Sequence, residues 1–145
     1  ARPANGSRTN WRGLGHAAVE VRRTADSGWL FHESGHMRLL ADRDAGKPAD
    51  SGTRTLPVRN VLRWRHGEDG IELAHRRFGA DHEVGLVRLV AEEICTDADL
   101  VSAEPHPCGK DLYHARLFLR PDGFNLHWHV AGPEKNELLV HAYRT

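Results

Sequence analysis

Apolar residues along the chain recur mostly at every second position, in short runs that Gly, Pro, Asp and Asn interrupt. This alternation is typical of half-buried β-strands joined by turns, and no segment has the spacing of an amphipathic helix. The pattern predicts strands over Trp11–Arg23, Gly28–Ala41, Leu56–His66, Ile71–Phe78, Val84–Glu93, Leu112–Arg120, Phe124–Ala131 and Glu137–Arg144. Pro57 falls at the start of the third, where a strand tolerates proline.

Short turn sequences connect several of these segments. Gly67–Gly70 and Pro121–Gly123 have the residues of tight hairpins, so neighbouring strands should pair antiparallel. About eight such strands fit an antiparallel up-and-down β-barrel or a two-sheet sandwich, and the repeated hairpins favour the barrel. A chain of 145 residues is expected to form one domain. Within it, the polar segment Asp42–Thr55 predicts a mobile loop.

The alternation also predicts which polar residues share the interior, because side chains point to opposite faces of a strand in turn. Glu33 has the parity of Trp29 and Phe31, and His75 has the parity of Leu73. The same rule places five further residues inside: Trp64, Leu117, Trp128, Asp111 and Tyr113. An apolar, aromatic interior with a few ionisable groups is the composition expected of a small-molecule pocket.

Charge and composition narrow the range of partners. The 20 Lys and Arg residues balance the 20 Asp and Glu residues, which disfavours nucleic-acid binding because phosphates need a basic surface. No run approaches the roughly 20 apolar residues that span a bilayer, and the segment Ala1–Asn10 is polar rather than a secretory leader. The two cysteines, Cys95 and Cys108, make no disulfide framework. We therefore expect a cytoplasmic protein without membrane or nucleic-acid partners.

Several residues are candidates for proton transfer or ligand contact. His106, Asp111 and Tyr113 are candidate catalytic acids and bases, and such chemistry needs no cofactor. The candidate ligand-binding residues are Glu33, Trp64, His75, Trp128 and Lys135. The open alternative is that these polar groups form a satisfied hydrogen-bonded network between strand ends. His127 and His129 have a spacing that can chelate a metal, but their parity puts them outside, so we predict no metal site.

Particular residue patterns carry a family resemblance. They are His-x-Cys-x-x-Asp-x-Tyr at His106–Tyr113, Trp-x-Val-x-Gly-Pro-x-Lys at Trp128–Lys135, Glu-x-Gly at Glu33–Gly35, and the closing pair Tyr143 and Arg144. In these residues the chain resembles an uncharacterised domain family of small bacterial and fungal proteins, classed only as a domain of unknown function. The resemblance implies a lipocalin-like or calycin-like barrel and no established activity. Members open with a Gly-x-Trp-like first strand that this chain does not match, so a homodimer covering the exposed barrel edge is an open expectation.

Two main function hypotheses follow. The first is a binding protein that encloses a small, partly apolar metabolite in the barrel. The second is a cofactor-free isomerase, cyclase or lyase on the same barrel, which would use His106, Asp111 and Tyr113. The 11 histidines keep metal or haem binding as a third and lower alternative.

Overall fold

The computed structural model describes residues 12–40, 54–76, 78–92 and 97–145, and the backbone of residues 2–3. These ranges contain β-strands and one short 3-10 helix, Ala80–His82. The strands are β1 Arg2–Pro3, β2 Arg12–Arg23, β3 Trp29–Leu40, β4 Arg54–His66, β5 Ile71–His75, β6 Val84–Val90, β7 Leu100–Ser102, β8 His106–Cys108, β9 Asp111–Arg120, β10 Gly123–Ala131 and β11 Asn136–Arg144. Within the same ranges, no helix is long and apolar enough to span a bilayer.

All the strands belong to one antiparallel sheet. Their order is β1-β11-β10-β9-β7-β6-β5-β4-β3-β2, and β8 pairs with β9 outside this path. β7 and β8 therefore share one edge of β9, with β7 beside Leu117 and β8 beside Tyr113. From β2 to β7 and from β9 to β11, strands that follow each other in this path are neighbours, which is the up-and-down arrangement that the sequence predicts.

The sheet curls into a half-barrel, so that strands near its two edges meet across the interior. β3 and β11 each lie next to an edge strand in the sheet order. The hydroxyl of Tyr143 on β11 nevertheless donates a hydrogen bond to the carboxylate of Glu33 on β3. The prediction of an all-β, antiparallel, barrel-like fold is confirmed.

The core lies between the inward faces of β4, β5 and β6 and those of β9, β10 and β11. The most completely buried side chains are those of Leu73, Leu89, Leu126 and Val130. Their neighbours in the core are Leu62, Trp64, Val87, Ala115, Leu117, Trp128 and Tyr143. The inward parity predicted for Trp64, Leu117 and Trp128 is thus confirmed.

The eight predicted strands are all present, but several boundaries differ. β5 ends at His75, and the predicted extension to Phe78 is wrong because the chain leaves the sheet for the short helix before β6. β4 begins at Arg54, so Arg54 and Thr55 are not loop residues, and the rest of the predicted loop lies outside the described residues. Trp11 is also outside them.

Pro57 lies inside β4 rather than at its start, which corrects the prediction from the sequence. It is paired with His36 of β3, whereas β5 pairs only with Leu62–His66 of β4. The first half of β4 is therefore not paired with β5. Proline is tolerated there because a strand edge without a partner strand does not need the backbone N–H for a hydrogen bond.

The hairpin between β9 and β10 depends on a glycine. Arg120 pairs with Gly123, so the tight hairpin predicted at Pro121–Gly123 is present, with Pro121 and Asp122 as its two-residue loop. Gly123 has a φ of 150°, and a Cβ atom on it would lie 2.1 Å from the carbonyl oxygen of Tyr143. Only glycine fits this approach of β10 to β11.

We predict that Leu89→Ala lowers the free energy of unfolding by about 2–5 kcal/mol, because it leaves a cavity in the densest part of the core. Leu14→Ala is the control, since Leu14 is 64% exposed on β2, and it should change that free energy by no more than about 0.5 kcal/mol. Urea denaturation followed by tryptophan fluorescence measures both. Equal losses in the two variants would contradict this description of the core.

Candidate ligand-binding site

Glu33 is a buried carboxyl group on the inward face of β3. The alternation of β3 places it on the same side as Phe31, and it is 8% exposed. Its Oε1 accepts the hydrogen bond from the Tyr143 hydroxyl, and its Oε2 accepts one from Asn60 Nδ2 at 3.3 Å. The predicted interior position of Glu33 is confirmed, and two neutral donors hold its carboxylate.

His141 completes the polar group around Glu33. Its Nδ1 lies 3.5 Å from the Tyr143 hydroxyl oxygen. We call Glu33, Asn60, His141 and Tyr143 the Glu33 cluster. Burial lowers the pKa of His141 from its ordinary value, and the charge of Glu33 opposes that effect. Burial also raises the pKa of Tyr143 far above its ordinary value, reinforced by the Glu33 charge and hydrogen bond. At neutral pH the cluster therefore contains a neutral imidazole and a protonated phenol.

Aromatic rings pack against the Glu33 cluster. The ring of Tyr143 stacks on Phe124 with a centroid distance of 4.6 Å and meets Phe31 at 5.6 Å. Trp64 in turn lies 5.5 Å from Phe31 and 5.5 Å from Phe124. The wall that adjoins the carboxylate is therefore aromatic and comes from β3, β4, β10 and β11.

An open cavity lies on the far side of these rings, where β3 and β10 begin and β9 ends. Its volume is about 840 Å³. We call it the aromatic cavity, and its lining residues are Val21, Ser27, Trp29, Phe31, Trp64, Arg65, His66, Ile71, Asp99, Leu100, Leu117, Leu119 and Phe124. The Nε1 atom of Trp64 is buried without a hydrogen-bond partner. The cavity is predominantly apolar, with a few polar groups at its margin.

The candidate catalytic residues lie together elsewhere, at the hairpin between β8 and β9. His106 pairs with Tyr113 across this hairpin, and their rings meet edge to face at 6.4 Å. Tyr113 also meets the ring of Trp128 edge to face at 6.4 Å. Asp111 forms an ion pair with Lys135, with 3.0 Å between Oδ2 and Nζ. His106, Asp111, Tyr113, Trp128 and Lys135 are the hairpin cluster.

The hairpin cluster joins two turns of the sheet. Gly132 and Lys135 close the turn between β10 and β11 through a 2.9 Å backbone hydrogen bond. A Cβ atom on Gly132 would lie 2.0 Å from Oδ1 of Asp111, so this carboxylate is packed directly on the glycine. The ion pair raises the pKa of Lys135, and burial raises the pKa of Tyr113. Asp111 thus ties the hairpin to the neighbouring turn.

The structure divides the predicted site residues into separate groups. Glu33 and Trp64 lie around the aromatic rings, whereas the hairpin cluster contains the three catalytic candidates with Trp128 and Lys135. Among the described residues, no hydrogen bond, ion pair or ring contact joins Glu33 to Asp111 or Tyr113. His75 lies at the end of β5, with a buried Nδ1 that has no hydrogen-bond partner.

Sequence reasoning missed three members of the Glu33 cluster as site residues. Tyr143 entered only through the family resemblance, and His141 was not considered. Both have the same parity on β11, so the rule that placed Glu33 inside would also have selected them. Asn60 has the parity of Leu62 and Trp64, so the same rule would have selected it, but nothing in the sequence indicates its pairing with Glu33.

The histidines form no cluster of ligands in the described part of the chain. In residues 12–40, 54–76, 78–92 and 97–145, no group of three or more His, Cys, Asp or Glu side chains is arranged to hold a metal ion. His129 instead contacts Asn136, with 2.7 Å between Nε2 and Oδ1.

Comparison with known proteins identifies a family. The model of a family of unknown function, DUF6314, matches residues 4–145. No curated protein and no solved structure matches the chain.

We predict that Gly132→Ala lowers the free energy of unfolding by about 1–3 kcal/mol, because the new methyl group displaces the Asp111 carboxylate. Gly85→Ala is the matched control, since nothing lies within 4 Å of a Cβ atom there. In an Asp111→Ala background the cost of Gly132→Ala should fall by about 1 kcal/mol. Denaturation of the four proteins and the control measures this coupling, and strict additivity would contradict the contact.

We predict that His141 makes the protein less stable as the pH falls. Its pKa in the folded state lies below the ordinary value of 6.5, so the unfolded state binds the proton more readily. The stability is complete above pH 6.5 and decreases as the pH falls below that value. His141→Gln should flatten the dependence of the unfolding free energy on pH between about 7 and 5, measured by urea denaturation. An unchanged slope would contradict the assignment, and His82→Gln on the exposed short helix is the control.

Proposed function

The chain belongs to the DUF6314 family, whose function is unknown, and we propose that it binds a small, partly apolar molecule in the interior of its curled sheet. The aromatic cavity is the observation that carries this proposal. Its volume of about 840 Å³ is within the usual range for small-molecule pockets, roughly 300–1,000 Å³. Its walls supply the apolar contact area that such ligands need.

The polar groups near the cavity support the same proposal. Ligand pockets combine a mostly hydrophobic wall with a few polar groups that orient the ligand. Here the rings of Phe31 and Phe124 line the cavity and also contact Tyr143, whose hydroxyl is bonded to Glu33. A ligand with an apolar body and one polar end would match this arrangement.

The lipocalin-like or calycin-like character and a cytoplasmic location belong to this proposal. The up-and-down antiparallel order supports the first, since barrels of that type accept one ligand inside. Cys108, an exposed free thiol, supports the second, because exposed thiols persist in reducing compartments.

A cofactor-free isomerase, cyclase or lyase is the second candidate. The observation that favours it is the chain of contacts from His141 through Tyr143 to Glu33, which joins two proton acceptors through a hydroxyl group next to the aromatic rings. The residues that the sequence predicts for this chemistry lie in the hairpin cluster, where Asp111 forms an ion pair with Lys135. NMR spectroscopy of a bound compound after incubation separates the candidates, since an enzyme converts the compound, even to an isomer of equal mass, and a binding protein returns it unchanged.

We predict that Leu119→Glu weakens binding of the neutral fluorescent probe N-phenyl-1-naphthylamine by about tenfold, because it brings a charge to the apolar wall. Leu119 is 61% exposed, so the variant should fold. A fluorescence titration at pH 7.5 measures the dissociation constant.

Leu14→Glu is the matched control for this titration. Leu14 is 64% exposed on β2 and does not line the aromatic cavity. Its variant should bind the probe as the parent protein does. Absence of saturable binding to the parent, or equal weakening by both substitutions, would contradict the proposed site.

A further inference from the structure

The inner end of the aromatic cavity is closed by packed rings. Phe31 and Phe124 line the cavity and contact Tyr143 at centroid distances of 5.6 and 4.6 Å. Glu33 lies behind this layer of rings, where its carboxylate accepts the hydrogen bond from Tyr143. A polar group pressed against the rings would lose its hydrogen bonds to water, which is unfavourable. The polar end of an amphipathic ligand therefore stays at the mouth of the cavity.

Exposed apolar side chains mark this mouth. Val21, Trp29 and Leu119 line the cavity and are between 46% and 61% exposed. Trp29 pairs with Trp64 of β4, which also lines the cavity but is buried. The two tryptophans form a wall that runs from solvent into the interior. Charged residues next to this wall are therefore close to the polar end of a bound ligand.

Arg23 brings a guanidinium group to the mouth. It is the last residue of β2 and pairs with Trp29, the first residue of β3. Its Cζ atom lies over the Trp29 ring, 5.6 Å from the centroid. A guanidinium group stacked on a ring is held by the cation–π contact, and its N–H groups still point outward from its edge. Trp29 thus positions a hydrogen-bond donor with a positive charge beside the cavity.

Arg65 supplies a second guanidinium group. It follows Trp64 on β4 and lines the cavity. In its ion pair with Glu72, Nε and Nη2 both donate to the same oxygen, Oε2. This ion pair uses one edge of the guanidinium group and leaves the hydrogens of Nη1 for another acceptor. His66, the next residue, also lines the cavity and has an imidazole that can donate.

Asp99 lines the cavity as well, but its carboxylate is used in the sheet. The Asp99 N–H donates to the carbonyl oxygen of Leu117 at 3.0 Å, and Oδ2 accepts a hydrogen bond from the Leu119 N–H at 2.7 Å. The side chain thus continues the ladder between β7 and β9 and has a structural role. The two guanidinium groups adjoin the tryptophan wall instead.

We propose that the ligand is an organic anion, an apolar molecule that ends in a carboxylate, with its body in the aromatic cavity and its carboxylate at the mouth beside Arg23 and Arg65. This inference rests on the proposed function, since it uses the same cavity. Guanidinium groups bind carboxylates through charge-assisted hydrogen bonds, which are stronger than hydrogen bonds between neutral groups. They favour an anionic end over a neutral one and repel a cationic one.

The test compares head groups on one apolar body. Decanoate, decanol and decylamine are titrated at pH 7.5 as competitors of N-phenyl-1-naphthylamine, below their aggregation concentrations. Decanoate should bind about fivefold more tightly than decanol, and decylamine should bind most weakly. Equal binding of the carboxylate and the alcohol, or preference for the amine, would overturn the inference.

A pair of neighbouring variants links the preference to the mouth. Arg23→Gln should reduce the ratio of decanoate to decanol affinity by about threefold, while decanol affinity stays within about twofold. Arg22→Gln is the matched control, because Arg22 points to the other face of β2 and forms an ion pair with Glu20. The control should keep the ratio of the parent. An unchanged ratio in Arg23→Gln, or equal reductions in both variants, would contradict the inference.

A double variant removes both guanidinium groups. Arg23→Gln with Arg65→Gln should bring the ratio to about one. Arg22→Gln with Arg88→Gln removes the same net charge outside the cavity, and Arg65 and Arg88 are both 43% exposed in ion pairs. A double variant that keeps the ratio of the parent would reject the site.

The same titrations separate this inference from the proposed function. If neither the probe nor any of the three compounds binds the parent protein, the proposed function fails and the inference fails with it. Displacement of the probe by all three compounds without preference rejects only the organic anion.

Discussion

The hydrogen bond from Tyr143 to Glu33 is the contact on which the shape of the interior depends. It joins β11 to β3, two strands that are separated by most of the other strands in the sheet. The two residues are 110 positions apart in the sequence. The bond can form only where the sheet curls enough to bring these strands together. Both groups are buried, so removal of either partner would leave the other without its hydrogen bond. The free-energy cost of that unpaired buried group exceeds the net stabilisation that the hydrogen bond contributes.

The same contact links the polar and apolar parts of the candidate site. The Tyr143 ring that donates to Glu33 also stacks on Phe124 and touches Phe31, and these two rings form part of the aromatic cavity. The carboxylate is therefore held at one end of an aromatic wall rather than in a separate network. By contrast, the ion pair between Asp111 and Lys135 in the hairpin cluster joins two turns. The role of this ion pair is therefore structural.

Local pattern predicted the fold and part of the site. The parity of β3 placed Glu33 inside because its neighbours are strongly apolar, and the same signal identified Trp64 and Trp128. The strands β7 and β8 have three residues each, too few for an alternation to be recognised. The contact between Glu33 and Tyr143 was not predictable, because pairing across a curled sheet depends on the whole strand order and not on local sequence.

The central claim is that the interior of the curled sheet binds the ligand, and NMR of methyl-labelled protein titrated with N-phenyl-1-naphthylamine tests it most directly. The account predicts saturable shifts of the methyl groups of Ile71, Leu100 and Leu117, which line the aromatic cavity. The methyl groups of Leu14 and Leu112, which are exposed outside that cavity, should not shift. Shifts confined to those exposed residues, or no saturable shift at all, would contradict it.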